Sequence, residues 1–309
     1  MSRALCLKLI GVFSFALLIE LTLSTNYCSS TLCKSGATHI ACNNNGAFAS
    51  ACSSDAKIVP MTAALKKALL NKHNTLRNTI ASGKLNGYKA AKRMATIVWD
   101  AELAKLAELN VKQCVMNHDE CRNTDKFKFA GQNLAYSGWS GTTKTVQSVA
   151  VSHVQLWYNE YKDCSMSYIN SYKSPTNGKA IGHFTQVVQE KATHMGCAIL
   201  RQTKSGTTYQ FIACDYAYTN VLGKPIYTSG TAASGCKTGR NPNFKSLCTT
   251  KEVYNNGFTE QYTACNYAYT NVINRPVYTS GTAASACTSG KDATYKSLCS
   301  TAEVYNVNS

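Results

Sequence analysis

The chain has 309 residues, 15 of them cysteine, and its 32 Lys and Arg against 16 Asp and Glu give a formal charge of +16. The basic residues are scattered, with no run longer than the pair Lys66-Lys67. The charge therefore reads as a solvated surface, which excludes a clustered nucleic-acid-binding patch.

Arg3 and Lys8 precede an apolar run from Leu9 to Leu23, broken by Ser14, Glu20 and Thr22 and followed by the small residues Ser24 and Thr25. This order is that of a secretory signal peptide over residues 1–24. The run is too short and interrupted for a membrane span, and no later segment approaches the length of one, so a secreted, extracellular product is expected. Removing the segment takes away Arg3, Lys8, Glu20 and Cys6, leaving a formal charge of +15 and 14 cysteines. An even count in an oxidising compartment predicts disulfides, and no pair of Cys-x-x-Cys motifs supports the zinc alternative. No Asn-x-Ser/Thr sequon occurs, so N-glycosylation is not expected.

Residues 25–60 set Cys28, Cys33, Cys42 and Cys52 among Asn, Ser, Gly and Ala. Such an extension cannot bury a core of its own and must be held by disulfides. From Met61 the pattern changes: Leu65, Leu69, Leu76 and Ile80 recur at helical spacing, with Thr62 to cap the helix and Gly83 to end it. A second helix is expected from about Asp100 to Met116, its face made by Leu103, Leu106, Ala107 and Val111 and its cap by Asp100. A third is expected from about Thr143 to Tyr161 through Val146, Val149, Ala150 and Leu156. Strands follow at Phe184 to Val188, Gly196 to Arg201 and Tyr209 to Ala213, with Ser205-Gly206 as a turn. Helices first and strands after, without regular alternation, predict an α+β domain with helices on a mainly antiparallel sheet.

The last hundred residues hold an ungapped repeat: residues 214–254 match residues 265–305 at 26 of 41 positions. Cys214, Cys236 and Cys248 recur as Cys265, Cys287 and Cys299. Two copies are fewer than a solenoid needs, so a tandem duplication of a tail module is the better account. The strand carrying Cys197 is not duplicated. If Cys197 pairs with Cys214 across a hairpin, Cys265 has no equivalent mate and residues 258–309 form an appended copy.

In order along the chain stand His73-Asn74-x-x-Arg77, Asn117-His118, Gly131-Gln132-Asn133-Leu134, Trp157-Tyr158-Asn159-Glu160-Tyr161, Gly182-His183-Phe184-Thr185-Gln186-Val187-Val188 and Cys214-x-Tyr216-x-x-x-Asn220-x-x-Gly223-x-Pro225-x-Tyr227. This series resembles the secreted CAP superfamily (cysteine-rich secretory, antigen 5, pathogenesis-related), most closely its insect venom allergen or antigen 5 branch, over residues 26–257. The resemblance implies a three-layer α-β-α sandwich, with residues 61–257 as the CAP domain. It also implies the pairs Cys28 with Cys42, Cys33 with Cys121, Cys52 with Cys114 and Cys197 with Cys214. Local spacing adds Cys236 with Cys248 and, by repetition, Cys287 with Cys299. Cys164 and Cys265 are left to pair with each other, to stay free or to link two chains.

The family's central cleft maps here onto His118, Gln132, Glu160 and His183. Two neutral imidazoles such as His118 and His183 can bind zinc at about 2.0 Å, leaving positions open for water or a carboxylate. Glu160 would then ligate, orient a histidine or serve as general base. The bland alternative is that all four simply hydrogen-bond one another and brace the cleft. An amide neither takes up nor releases a proton near neutral pH, so with glutamine at 132 only Glu160 is a catalytic candidate. His73 reads as a helix-bracing residue, His153 as a packing residue, and Trp139 and Trp157 as packing aromatics. No Gly-x-Ser-x-Gly elbow occurs, and Ser148 and Ser152 near His153 do not make a triad.

The leading expectation is a secreted, non-catalytic extracellular binder of a lipid, a sterol or a protein. It requires no cofactor and has room for a weakly bound zinc or other divalent cation. It involves no nucleic acid and no transmembrane segment, and its oligomeric state is open. The alternatives are a zinc-dependent hydrolase using His118, His183 and Glu160, and an interaction protein acting through its duplicated tail.

Overall fold

Residues 25–176, 178–254 and 282–303 are described in the computed structural model, so the signal-peptide segment and Cys265 lie outside the described residues. The described residues up to Tyr254 belong to one compact unit, and residues 282–303 to a second.

The first unit begins with a two-residue strand, β1 (Lys57–Ile58), and then α1 (Ala63–Ala81). The Thr62 hydroxyl accepts the Leu65 N–H at the start of α1, and Gly83 takes φ +76 just beyond its end. After β2 (Val98–Trp99), Asp100 caps α2 (Ala101–Val111) through the N–H groups of Glu102 and Leu103. This helix is shorter than its apolar pattern suggests. Lys112 closes it, and Cys114 turns to φ +54 with its sulfur bonded to Cys52.

Next come β3 (Gly131–Trp139), α3 (Val146–Asn159) and a 3-10 turn, Glu160–Asp163, that ends the third helix earlier than expected. α3 buries Val149, Ala150, His153, Val154, Trp157 and Tyr158, whereas Leu156, expected on the apolar face, is 58% exposed. Two short helices, α4 (Met166–Asn170) and α5 (Gly182–Val187), precede the long hairpin of β4 (His194–Lys204) and β5 (Thr207–Tyr216). Ser205 and Gly206 both have positive φ, +50 and +75, the conformation a tight two-residue hairpin turn needs.

The expected strand Phe184 to Val188 is thus helical, and the reason is tertiary. Its β-branched residues favour a strand locally. However, the Glu160 carboxylate accepts the N–H groups of His183 (2.9 Å) and Phe184 (3.0 Å) at the start of α5. At the other end the buried Arg77 guanidinium donates to the carbonyls of Val187 (2.9 Å) and Gln189 (2.8 Å). Burial lowers the Arg77 pKa to about 10, so it stays charged at neutral pH.

The sheet runs β1-β4-β5-β3, antiparallel throughout, with β2 joining β4 in parallel. Its alternation assigns the layers. Leu134, Ala198, Leu200, Phe211 and Ala213 face α2 through Ala107 and Val111. Ala135, Cys197, Ile199, Ile212 and Cys214 face α1 and α3 through Leu69, Ile80, Val154 and Trp157. This is the three-layer α-β-α sandwich, though β3 falls between α2 and α3, so the elements are not helices first and strands after. A Cβ at Gly196 would collide with the backbone of Asp100 and Ala104, so glycine there lets α2 lie directly on β4.

Among the described residues there are six disulfides: Cys28–Cys42, Cys33–Cys121, Cys52–Cys114, Cys197–Cys214, Cys236–Cys248 and Cys287–Cys299. They are the pairs named from resemblance, spacing and repetition. The first three tie the extension to itself and to the loop after α2. Cys197 and Cys214 are direct cross-strand partners in the β4–β5 hairpin. Among the described residues the half-buried Cys164 has no disulfide partner, and Cys265, its candidate mate, lies outside them.

Candidate functional site

The start of β3, at the outer strand of the sheet, organises the site through its alternation. Gly131 leaves space that the Gln186 side chain fills, since a Cβ there would collide with the Gln186 amide. Gln132 points to the α2 layer and Asn133 to the opposite one, where its amide donates to the His183 carbonyl at 3.0 Å. One strand thus reaches both histidines.

His118 sits in the loop after α2. Asn110 of α2 holds that loop, donating to the Asn117 carbonyl (3.0 Å) and to Asp119 Oδ1 (2.6 Å), and Arg122 grips Asp119 through its Oδ2 and its backbone carbonyl. His118 Nδ1 is 2.9 Å from Gln132 Oε1. The Gln132 amide nitrogen donates to Asp119 Oδ2 (2.7 Å) and to Asp215 Oδ1 (2.9 Å), so its oxygen faces the imidazole. An amide oxygen only accepts, so Nδ1 donates and the neutral ring carries its lone pair on Nε2.

His183, on α5, has the same arrangement with a different partner: Nδ1 lies 2.6 Å from Glu160 Oε1, leaving Nε2 as the lone-pair nitrogen of the neutral ring. Its ring stacks on Trp157, whose indole N–H donates to the Leu134 carbonyl. His118 and His183 line one cleft of about 310 Å³ with Gln132, Asn133, Gln186 and Asn220. His118 has an exposed edge, yet its ring is partly desolvated against its neighbours, and this lowers its pKa. The Gln132 hydrogen bond opposes the shift, and Arg122 and His183 add to it.

Asp215, the cross-strand neighbour of Gln132, is fully buried. Burial holds its carboxyl well above the usual range, against Arg122 and with the charge of Asp119 adding to the effect. Among the described residues Asp215 Oδ2 has no hydrogen-bond partner.

The chemistry open to this arrangement is narrow. Both oxygens of Glu160 are engaged by α5 and by His183, which makes it an orienting group. Gln132 cannot exchange a proton. Among the described residues no group of three or more His, Cys, Asp and Glu side chains is placed to hold a metal ion. The cleft brings together two imidazoles, each with Nδ1 engaged and Nε2 as its second ring nitrogen.

His73 and His153 lie elsewhere. His73 is buried between the Leu69 carbonyl and the Tyr216 hydroxyl, at 2.8 Å from each, with its pKa lowered by burial to about 4. His153 is buried with Nε2 2.7 Å from Ser137 Oγ, and among the described residues its Nδ1 has no partner, so this serine-histidine contact lacks the acid of a triad. Asp119 and Asp215 stand in none of the sequence motifs, and Asn133 stands there only as part of the run Gly131-Gln132-Asn133-Leu134. Their roles depend on the register of β3 against β5 and on the fold of the α2 loop, which left no local signal.

Residues 70–216 match the cysteine-rich secretory protein family, CAP. The chain is 45% identical to venom allergen-1 of Aedes aegypti over 227 residues, covering 74% of this chain and 88% of that protein. It is 47% identical to the antigen 5 like allergen Cul n 1 of Culicoides nubeculosus over 62% of this chain and 90% of that one. Among solved structures it resembles NaASP2 with Zn2+, at 26% identity and a TM-score of 0.52, covering 64% of this chain and 99% of that one.

Proposed function

Because this chain belongs to the cysteine-rich secretory protein (CAP) family, in its antigen 5-like branch, we propose that it is a secreted, non-catalytic binder whose cleft holds a divalent cation between His118 and His183. The observation that carries this reading is that each histidine gives its Nδ1 to a fixed partner, Gln132 or Glu160, and keeps Nε2 for the cleft they share. An imidazole held by its other nitrogen is the usual form of a metal-ligating histidine. A cation bound by two protein nitrogens has open positions and supplies positive charge to a ligand's oxygen atoms. That NaASP2 was solved with Zn2+ supports a cation of this kind.

Binding is favoured over hydrolysis because Glu160, the candidate base, already accepts three hydrogen bonds behind His183, and the described lining of the cleft holds no carboxylate. The lining is polar, so the ligand that fits it offers oxygen donors. A lipid or sterol would need another surface of the protein.

Calorimetric titration of the purified secreted protein with zinc tests the reading. Wild type should bind one equivalent, and His118→Ala or His183→Ala should each weaken binding at least tenfold. Absence of binding by wild type, or variants indistinguishable from it, would falsify the proposal.

A further inference from the structure

Asp215 does not line the cleft, yet its position gives it control over one of the two histidines. The Gln132 side chain has two amide hydrogens and one oxygen. Asp215 Oδ1 and Asp119 Oδ2 take the hydrogens at 2.9 and 2.7 Å, and His118 Nδ1 meets the oxygen at 2.9 Å. Rotating the amide by half a turn would set its oxygen against two carboxyl groups, one of them fully buried. Such an arrangement leaves buried acceptors unpaired and opposed, at a cost of several hydrogen bonds.

We propose that Asp215 is a positioning residue for the cleft: with Asp119 it locks the Gln132 amide in one orientation, and thereby holds His118 as the tautomer with its lone pair on Nε2. The same network accounts for glutamine at position 132, because a glutamate would place a third carboxyl group between two others and could donate to neither while ionised. The consequence for cation binding rests on the reading above, whereas the tautomer is a property of the metal-free protein.

The test measures both in the full-length secreted protein. Imidazole nitrogen shifts of the metal-free, 15N-labelled protein report the His118 tautomer, and zinc calorimetry reports affinity. Wild type and Asp215→Asn should both show the Nδ1–H form, with affinities within about twofold, since an asparagine oxygen can still accept from Gln132. Asp215→Ala should show a mixture of tautomers and about tenfold weaker zinc binding, the lower end of the range for outer-shell partners. Asp215→Leu, branched at Cγ like the native carboxyl and leaving no cavity, should do the same and serves if the alanine variant does not fold. A wild-type tautomer in either variant would overturn the proposal. Failure of wild type to bind zinc would remove the cation reading and leave the tautomer result to decide this one.

Discussion

In both copies of the tail module a disulfide loop closes over a separation of 12 residues, Cys236–Cys248 and Cys287–Cys299, around the same hydrogen bonds. Leu247 N–H donates to the Phe244 carbonyl, and Leu298 N–H to that of Tyr295, both at 2.8 Å. Asn241 N–H meets the Leu247 carbonyl as Asp292 N–H meets that of Leu298. Glu252 accepts from the N–H groups of Lys237 and Thr238 as Glu303 accepts from those of Thr288 and Ser289. Even the positive φ of Ala233, +52, recurs at Ala284, +53. Burial is the opposite: Leu247 is 0% exposed and Leu298 60%.

The first copy is sealed by specific contacts. Cys248 N–H donates to the Met94 carbonyl, Thr96 Oγ1 donates to the Cys248 carbonyl, Ser246 N–H donates to Asn78 Oδ1, and Arg93 pairs with Glu252 at 2.6 Å. The difference teaches that a short disulfide loop takes its shape from its own residues, while its contribution to the stability of the domain comes from the surface it is laid against.

Three substitutions probe that contrast. Leu247→Ala should destabilise residues 25–254 by about 2–5 kcal/mol in denaturant unfolding, the cost of emptying a fully buried leucine site. Leu298→Ala should change stability by no more than about 0.5 kcal/mol. Equal effects would mean the two leucines share an environment.

Arg93→Ala should cost about 1.5–3 kcal/mol, since it strips the charged partner from Glu252 and the donor from the Val253 carbonyl. A loss below about 0.5 kcal/mol would show that Arg93 does not seal this copy.

The smallest effect concerns acid. For Glu252, burial pushes the carboxyl up, but hydrogen bonds from Thr238 and Lys237 and the Arg93 contact outweigh it and leave the pKa lowered. For Glu303, hydrogen bonds from Thr288 and Ser289 lower it. A carboxylate with a depressed folded pKa contributes stability above the unfolded value, about 4.3, and loses it as pH falls through the folded pKa. Amide exchange at Thr288 and Ser289 should therefore accelerate as pH is lowered below about 4, after correction for intrinsic rates, with Lys237 and Thr238 responding less because burial and Arg93 still hold their loop. Faster opening of the first copy than of the second would contradict the contrast.

Much of the fold was legible because its signals are local. Thr62 and Asp100 are caps three residues or fewer from the N–H groups they accept, Ser205-Gly206 is a turn by its own φ preferences, and the apolar spacing of Leu65, Leu69, Leu76 and Ile80 is the period of the helix that buries them. The site residues His118, Gln132, Glu160 and His183 were legible only through the order of motifs that resemble a known family. Nothing in their spacing brings four separate segments together.

Local sequence is enough for the helices with periodic apolar faces, the β4–β5 hairpin and the repeated disulfide loop. Each of these is stabilised by interactions within a few residues or across one short turn. Only the tertiary structure decided that Phe184-Thr185-Gln186-Val187 is helical, because its end groups are satisfied by Glu160 and Arg77 from distant segments. Only the register of β3 on β5 set Asp215 beside Gln132, and so fixed which nitrogen His118 turns to the cleft. Long-range hydrogen bonds outweigh weak local preference wherever a buried backbone or amide group would otherwise go unpaired.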